Sequence, residues 1–269
     1  IEIDARQSWS NIKVIRRMDF EQMSAAELAE AEAALAQLRL PMRRIRTRRS
    51  VPAVRGRADL RASLRAAMRQ GGELTTLRHK APGVRRPDLV ALCDISGSMA
   101  TYARVMMRFL HALAHARHPD WGKVHAFTFG TALTNVTRAL KRGDPDIALS
   151  TVGREVADWE GGTRIGPALE RFNKDWSRRV LARGAVVLLI TDGLERADLA
   201  LLDRQAERLA LSADRLLWLN PLLRWEGFEP KAGGVRTLLK HATSHHPCHS
   251  LESLAGLVQA LSTRPGEPR

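Results

Sequence analysis

The hydrophobic rhythm of the chain changes near residue 87. Before that point, apolar positions recur at helical spacing between basic, turn-rich stretches. Leu28, Ala31, Leu35 and Leu38 are spaced by three and four, which predicts an amphipathic helix. Ser24 stands three residues before Glu27, the pattern of a capping box, and Pro41 stops the run. Residues 1–40 therefore read as largely helical. The segment Arg43 to Arg57 contains Pro52 and Gly56, lacks clear periodicity, and reads as extended or loop. Residues 59–70 read as helix again, with Leu60, Leu64, Ala67 and Met68 along one side and Gly71-Gly72 at the end. Pro82-Gly83 and Pro87 mark the approach to a second unit.

From Asp88 onward, strand and helix patterns alternate. Leu89 to Cys93 is a short, fully apolar run. Ala100 to Arg117 carries Tyr102, Val105, Met106, Phe109, Leu110 and Leu113 at helical spacing. Between Lys123 and Thr137, Val124, Ala126 and Thr128 alternate with His125, Phe127 and Phe129, and Gly130-Thr131 suits a hairpin turn. A helix follows over Ile165 to Ser177, then a second apolar strand from Ala185 to Ile190, ending in Thr191-Asp192-Gly193. Asp198 to Leu211 reads as helix, and Leu216 to Leu219 as a strand stopped by Asn220-Pro221. This order predicts an α/β fold with a mostly parallel, Rossmann-like sheet covered by helices on both faces. Ligands of such folds bind beyond the carboxyl ends of the strands, where Asp94 and Asp192 both fall.

Composition supports a substantial core, with 44% hydrophobic residues in 269. No apolar run approaches the ~18 residues of a membrane-spanning helix. The first residues lack the basic-then-apolar layout of a signal peptide. Two cysteines cannot make a disulfide framework, so a reduced, cytoplasmic protein is expected, with peripheral contact to the inner membrane left open.

Charge sharpens the picture. The chain has 43 Lys and Arg against 29 Asp and Glu, a net charge of +14. Such an excess implies acidic partners: nucleic acid, a membrane surface or an acidic protein. The arginines crowd residues 43–86, although a GC-rich genome and ordinary solvated surface explain part of that density. No aromatics interleave with them, which weakens a single-strand stacking role.

The chemistry concentrates in Asp94-Ile95-Ser96-Gly97-Ser98, directly after the first apolar strand. One carboxylate and two hydroxyls at alternate positions are hard oxygen donors, better suited to Mg²⁺ or Mn²⁺ than to zinc. Two further segments place a short oxygen-bearing side chain beside glycine, Gly161-Gly162-Thr163 and Thr191-Asp192-Gly193. The competing explanations are structural. Ser96, Ser98 and Thr163 can cap helices, and Asp192 can simply end a strand.

Together these residues resemble the von Willebrand factor A domain and its metal-ion-dependent adhesion site. The resemblance spans residues 86–250 and implies a divalent cation, Mg²⁺ or else Mn²⁺ or Ca²⁺. Ser96, Ser98 and Thr163 would contact it by hydroxyl, with Asp94 and Asp192 direct or through water. The segments Arg17 to Ser24, Phe127 to Thr131, Asp158 to Gly166 and Trp218 to Leu222, with the arginine stretch, are similar to bacterial CoxE-type proteins. That resemblance divides the chain into a basic, partly helical region, 1–85, and a von Willebrand A domain, 86–269. It implies a non-catalytic adaptor that works with a MoxR-type AAA+ ATPase. Its client would be an acidic protein, a metalloenzyme such as molybdenum- and copper-containing carbon monoxide dehydrogenase. Weak nucleic-acid binding through residues 43–86 is the alternative, and a metal-dependent hydrolase ranks last, because no nucleophile–base pair is evident. Glu160 and Glu195 lie near the loops as tuning charges or accidental neighbours.

Other candidates are weaker. His245, His246, Cys248 and His249 match no zinc spacing and are interrupted by Pro247, so a surface turn before a helix from Leu251 is expected. His111 and His115 lack an accompanying H-E-x-x-H, and no phosphate-cradling G-x-x-x-x-G-K-[ST] occurs.

Overall fold

The computed structural model describes residues 14–37, 42, 44–116, 121–155, 164–195, 198–224 and 229–262. Leu38, Pro41, Glu160, Gly161, Gly162 and Thr163 lie outside the described residues. The chain divides into two compact units, residues 43–86 and residues 1–42 with 87–269. The sequence grouped residues 1–85 together; the structure packs the first segment with the sheet unit instead.

That first segment holds helix α1 (Ala25–Gln37). Its capping box forms as predicted, with the Ser24 amide and hydroxyl donating to Glu27 Oε2 at 2.8 and 2.7 Å.

The 43–86 unit contains strands β1 (Ile45–Ala53) and β2 (Arg57–Ala58), helix α2 (Leu60–Arg69) and strand β3 (His79–Arg85), in the antiparallel sheet order β1-β3-β2. Pro82 and Gly83 do not bound the unit; they sit inside β3, with Pro82 opposite Ser50 where the β1 register is irregular. Asp59 caps α2 through the Ala62 amide, and Gly71 and Gly72 end it with φ of 82° and 95°. The inward side of α2 is Ser63 and Ala67, not the Leu60–Leu64–Met68 side. Small side chains let the helix approach closely enough for the Arg78 amide to reach Ser63 Oγ at 2.8 Å.

The larger unit continues with β4 (Leu89–Asp94), α3 (Ala100–His115), β5 (Val124–Phe129), β6 (Leu133–Asn135), α4 (Thr137–Leu140), α5 (Pro145–Glu155), α6 (Ile165–Asp175), α7 (Ser177–Val180) and β7 (Val186–Ile190). It ends with α8 (Leu199–Ser212), β8 (Arg215–Asn220), α9 (Gly233–His241), β9 (Ser244–Pro247) and α10 (Leu251–Ser262). The six-stranded sheet runs β6-β5-β4-β7-β8-β9, and only the β5–β6 hairpin is antiparallel. β4 and β7 are buried along their whole length, as continuous apolar runs between two helical layers must be. Alternate residues feed opposite cores. Leu89, Ala91 and Cys93 join α1, α3 and α10 on one face, while Val90 and Leu92 join α6, α8 and α9 on the other.

The apolar stripe of α1 explains its placement. Ala31 and Leu35 are fully buried, Leu28 packs on the same core, and α1 lies against α3. Ahead of it, Asp19 caps a 3₁₀ turn at Phe20–Gln22 and accepts the Tyr102 hydroxyl at 2.8 Å and Arg224 Nη1 at 2.9 Å. Arg224 also reaches Glu21 Oε2 at 2.7 Å, and the Phe20 amide donates to the His249 carbonyl at 2.9 Å.

β9 was not expected. It runs parallel to β8, with His245 stacked on the Trp218 ring at 4.1 Å and His246 bonded to Ser244 Oγ. No described helix is long and apolar enough to cross a membrane.

Candidate metal centre

Parallel pairing of β4 and β7 sets the geometry. Cys93 is in register with Ile190, so the next residues, Asp94 and Thr191, leave the sheet side by side. Thr191 Oγ1 donates to Asp94 Oδ2 at 2.8 Å, and the Ser96 amide donates to Asp94 Oδ1 at 2.9 Å. The chain then turns through a 3₁₀ turn, Gly97–Met99, into α3. Ser96 occupies the N-cap position of that turn, yet its side chain makes no capping bond. Its hydroxyl instead lies 3.4 Å from Ser98 Oγ, and Ser98 donates to Asp192 Oδ2 at 2.9 Å. Capping therefore does not account for the two serines. Asp192 Oδ1 accepts the Leu194 amide at 2.9 Å, which fixes the second carboxylate.

Gly193 allows this turn. Its φ is 78°, and a Cβ there would come 2.7 Å from the Trp218 ring. Trp218 in turn donates its indole N–H to the Thr191 carbonyl at 2.9 Å. Trp218 thus braces the loop after β7.

Four of the five expected ligands, Asp94, Ser96, Ser98 and Asp192, converge at the carboxyl end of the sheet. Thr163 falls outside the described residues, but the chain immediately after it is anchored at the same end. The Arg164 amide donates to the Gly130 carbonyl at 3.2 Å, beyond β5. The Gly166 amide donates to Glu195 Oε2 at 2.6 Å, beyond β7. Arg164 takes the N-cap position of α6 without a side-chain capping bond. Glu195 supplies that cap from a distant loop, a role its local sequence does not announce. By sequence Thr191 is only part of a strand end; the parallel register is the signal that makes it the partner of Asp94.

Burial dominates the electrostatics of the first carboxylate. Burial pushes the Asp94 carboxyl up to about 6 against the opposing pull of its hydrogen bonds, and Asp192 adds to the rise. Among the described residues no cluster of three or more His, Cys, Asp or Glu is placed to hold a metal. The converging donors are two carboxylates and hydroxyls, a hard oxygen set that fits Mg²⁺, Mn²⁺ or Ca²⁺.

The residues of the other candidate clusters are held by packing and hydrogen bonds. Burial lowers the His245 pKa to about 4, and Cys248 is fully buried with its thiol pushed well up. His111 and His115 stack at 4.2 Å, and His111 Nε2 lies 2.7 Å from the Arg142 carbonyl.

Solved structures offer distant similarity. Proximal thread matrix protein 1 from the mussel byssus is 18% identical, with a TM-score of 0.44 over 65% of this chain and 47% of that one. A form of it described with a zinc-occupied MIDAS motif is 16% identical, with a TM-score of 0.44, 65% of this chain and 47% of that one. An aerotolerance-related membrane protein from Bacteroides fragilis is 14% identical, with a TM-score of 0.42 over 65% of this chain and 97% of that one. The chain spans about half the length of the mussel protein. No curated protein matches the chain. The family described as "VWA domain containing CoxE-like protein" matches residues 31–254, most of the sequence. The fold, the strand-end loops and that match agree: the chain belongs to the CoxE-like family of von Willebrand factor A domain proteins.

Proposed function

We propose that Asp94, Ser96, Ser98, Thr163 and Asp192 hold one divalent cation, Mg²⁺ or else Mn²⁺ or Ca²⁺, through which the protein grips a carboxylate of a partner. In this reading it is a non-catalytic adaptor for a MoxR-type AAA+ ATPase. It would act in maturation of a metalloenzyme, a molybdenum- and copper-containing carbon monoxide dehydrogenase-like client.

The carrying observation is the Ser98–Asp192 hydrogen bond. Because Ser98 gives its proton to Asp192, its oxygen can only accept from Ser96 Oγ at 3.4 Å, which leaves one lone pair to face a cation. Asp94 already accepts a hydroxyl and an amide, which suits an indirect role through water. The bound ion would supply an exchangeable coordination position for a charged oxygen ligand. The protein oxygens are engaged by fixed hydroxyl and amide donors, an arrangement suited to coordination rather than to proton transfer. Ser98 and Gly97 are solvent-exposed above a buried floor, so a partner's side chain can approach.

The test is capture of the cognate ATPase and client with Mg²⁺ or with chelator. Wild-type protein is expected to capture them only with Mg²⁺, and the Ser96→Ala/Ser98→Ala protein under neither condition. Equal capture by the double variant would defeat the reading.

A further inference from the structure

Residues 43–86 carry thirteen arginines and one lysine against two carboxylates, Asp59 and Glu73, and include no Phe, Trp or Tyr. Among the described residues of this unit only Ser63, Ala67 and Gly83 are buried. Its large apolar side chains stand outward instead. Leu60 is 63% exposed, Leu64 59%, Met68 82% and Val54 93%.

On α2 the pattern is ordered. Leu60, Leu64 and Met68 repeat every four residues and form one ridge about 12 Å long. Arg61, Arg65 and Arg69 repeat with the same period, one position on, so a basic ridge runs beside the apolar one. An apolar ridge in water is unfavourable, and a concentration of arginines repels itself. A surface that is both anionic and apolar relieves the two together.

We infer that α2 and its flanking arginines dock on an anionic phospholipid membrane. The Leu60–Leu64–Met68 ridge enters the headgroup–acyl boundary while Arg61, Arg65 and Arg69 meet lipid phosphates. Three observations favour lipid. Duplex or single-stranded nucleic acid would engage the arginines but leave the leucine–methionine ridge wet, and the unit has no Phe, Tyr or Trp for stacking. A protein partner would need a groove moulded around side chains that stand more than half clear of their own surface. A lipid interface closes around them without one. The ten-residue helix is too short to span, so attachment is peripheral and reversible. The inference does not depend on the cation site.

The experiment is vesicle flotation with the full chain. One set of vesicles is phosphatidylcholine alone, and the other contains about one third phosphatidylglycerol. Binding is expected only to the anionic vesicles, and it weakens as salt rises. The Arg61→Gln/Arg65→Gln/Arg69→Gln protein should lose about a hundredfold in affinity, roughly fivefold per arginine. The Leu60→Ser/Leu64→Ser/Met68→Ser protein should lose about tenfold or more. These positions are exposed, so both variants should keep wild-type circular dichroism and the wild-type Mg²⁺-dependent thermal shift. Failure to bind anionic vesicles overturns the inference, as does full binding by the leucine–methionine variant. Duplex DNA and an acidic Glu–Leu helical peptide are titrated in parallel. Preference for either over anionic vesicles equally counts against lipid.

Discussion

Ser98 and Asp192 are 94 positions apart in sequence, yet Ser98 Oγ donates to Asp192 Oδ2 at 2.9 Å. The bond joins the loop after β4 to the loop after β7 and orients the serine oxygen. Ser98→Ala is expected to keep the fold, at a cost of about 1 kcal/mol for the lost bond. With free Mg²⁺ at about 100 times Kd, wild-type protein gains about 2.7 kcal/mol from the ion, and Ser96→Ala/Ser98→Ala gains almost none. Thermal denaturation with and without Mg²⁺ measures both. An undiminished Mg²⁺ effect in the double variant would remove the serines from the ligand set.

Asp94 predicts a pH signature. Burial raises its carboxyl from an ordinary 3.8 to about 6, so the folded state holds a proton that the unfolded state releases. Without metal, this contribution to stability is complete below pH 3.8 and is lost as pH rises through about 6, for about 3 kcal/mol at most. Mg²⁺ favours the ionised carboxylate, so the stabilisation it gives should grow over that same rise. Urea titrations in chelator, comparing wild type with Asp94→Asn, read the difference. Parallel pH profiles for the two proteins would refute the assignment.

Glu195 positions the chain that follows Thr163. Its Oε2 accepts the Gly166 amide at 2.6 Å, which Glu195→Gln can still satisfy and Glu195→Ala cannot. The alanine variant is expected to bind Mg²⁺ about tenfold more weakly and the glutamine variant nearly as wild type. Calorimetric titration separates them; equal affinity in all three proteins would mean that Glu195 only holds α6.

Arg224 ties the first described segment to the sheet unit. Asp19 is buried, and Arg224 is one of its partners together with Tyr102. Removing the guanidinium in Arg224→Ala leaves that carboxylate without its cation, at a cost of about 3 kcal/mol. Hydrogen exchange should accelerate first in Phe20–Gln22 and α1. Uniform acceleration across the sheet would contradict a local tether.

The parts of this architecture that were legible share one property: their pattern is local. Leu89 to Cys93 and Ala185 to Ile190 are continuous apolar runs ending in acidic, glycine-bearing loops, so strand, burial and loop chemistry could be read together. β9 could not be read, because Ser244–Pro247 is a half-buried edge of polar and imidazole side chains that lacks strand-like alternation. The inward side of α2 does not follow its larger apolar residues, because Ser63 and Ala67, the small residues, set the approach distance. Thr191 and Arg224 lacked any signal of their own. The partner of the first is set by the register of a parallel pair, and Arg224 meets Asp19 across 205 positions.

The bond from the Phe20 amide to the His249 carbonyl has a consequence for the order of synthesis. Helix α1 carries a greasy stripe that shares its core with α10, which is made long after it. During translation, Ala31 and Leu35 emerge from the ribosome long before that place exists. The nascent protein must keep this stripe from sticking elsewhere until α10 arrives. Chains shortened before Leu251 should therefore aggregate rather than accumulate as soluble fragments, even though every strand of the sheet has already been made.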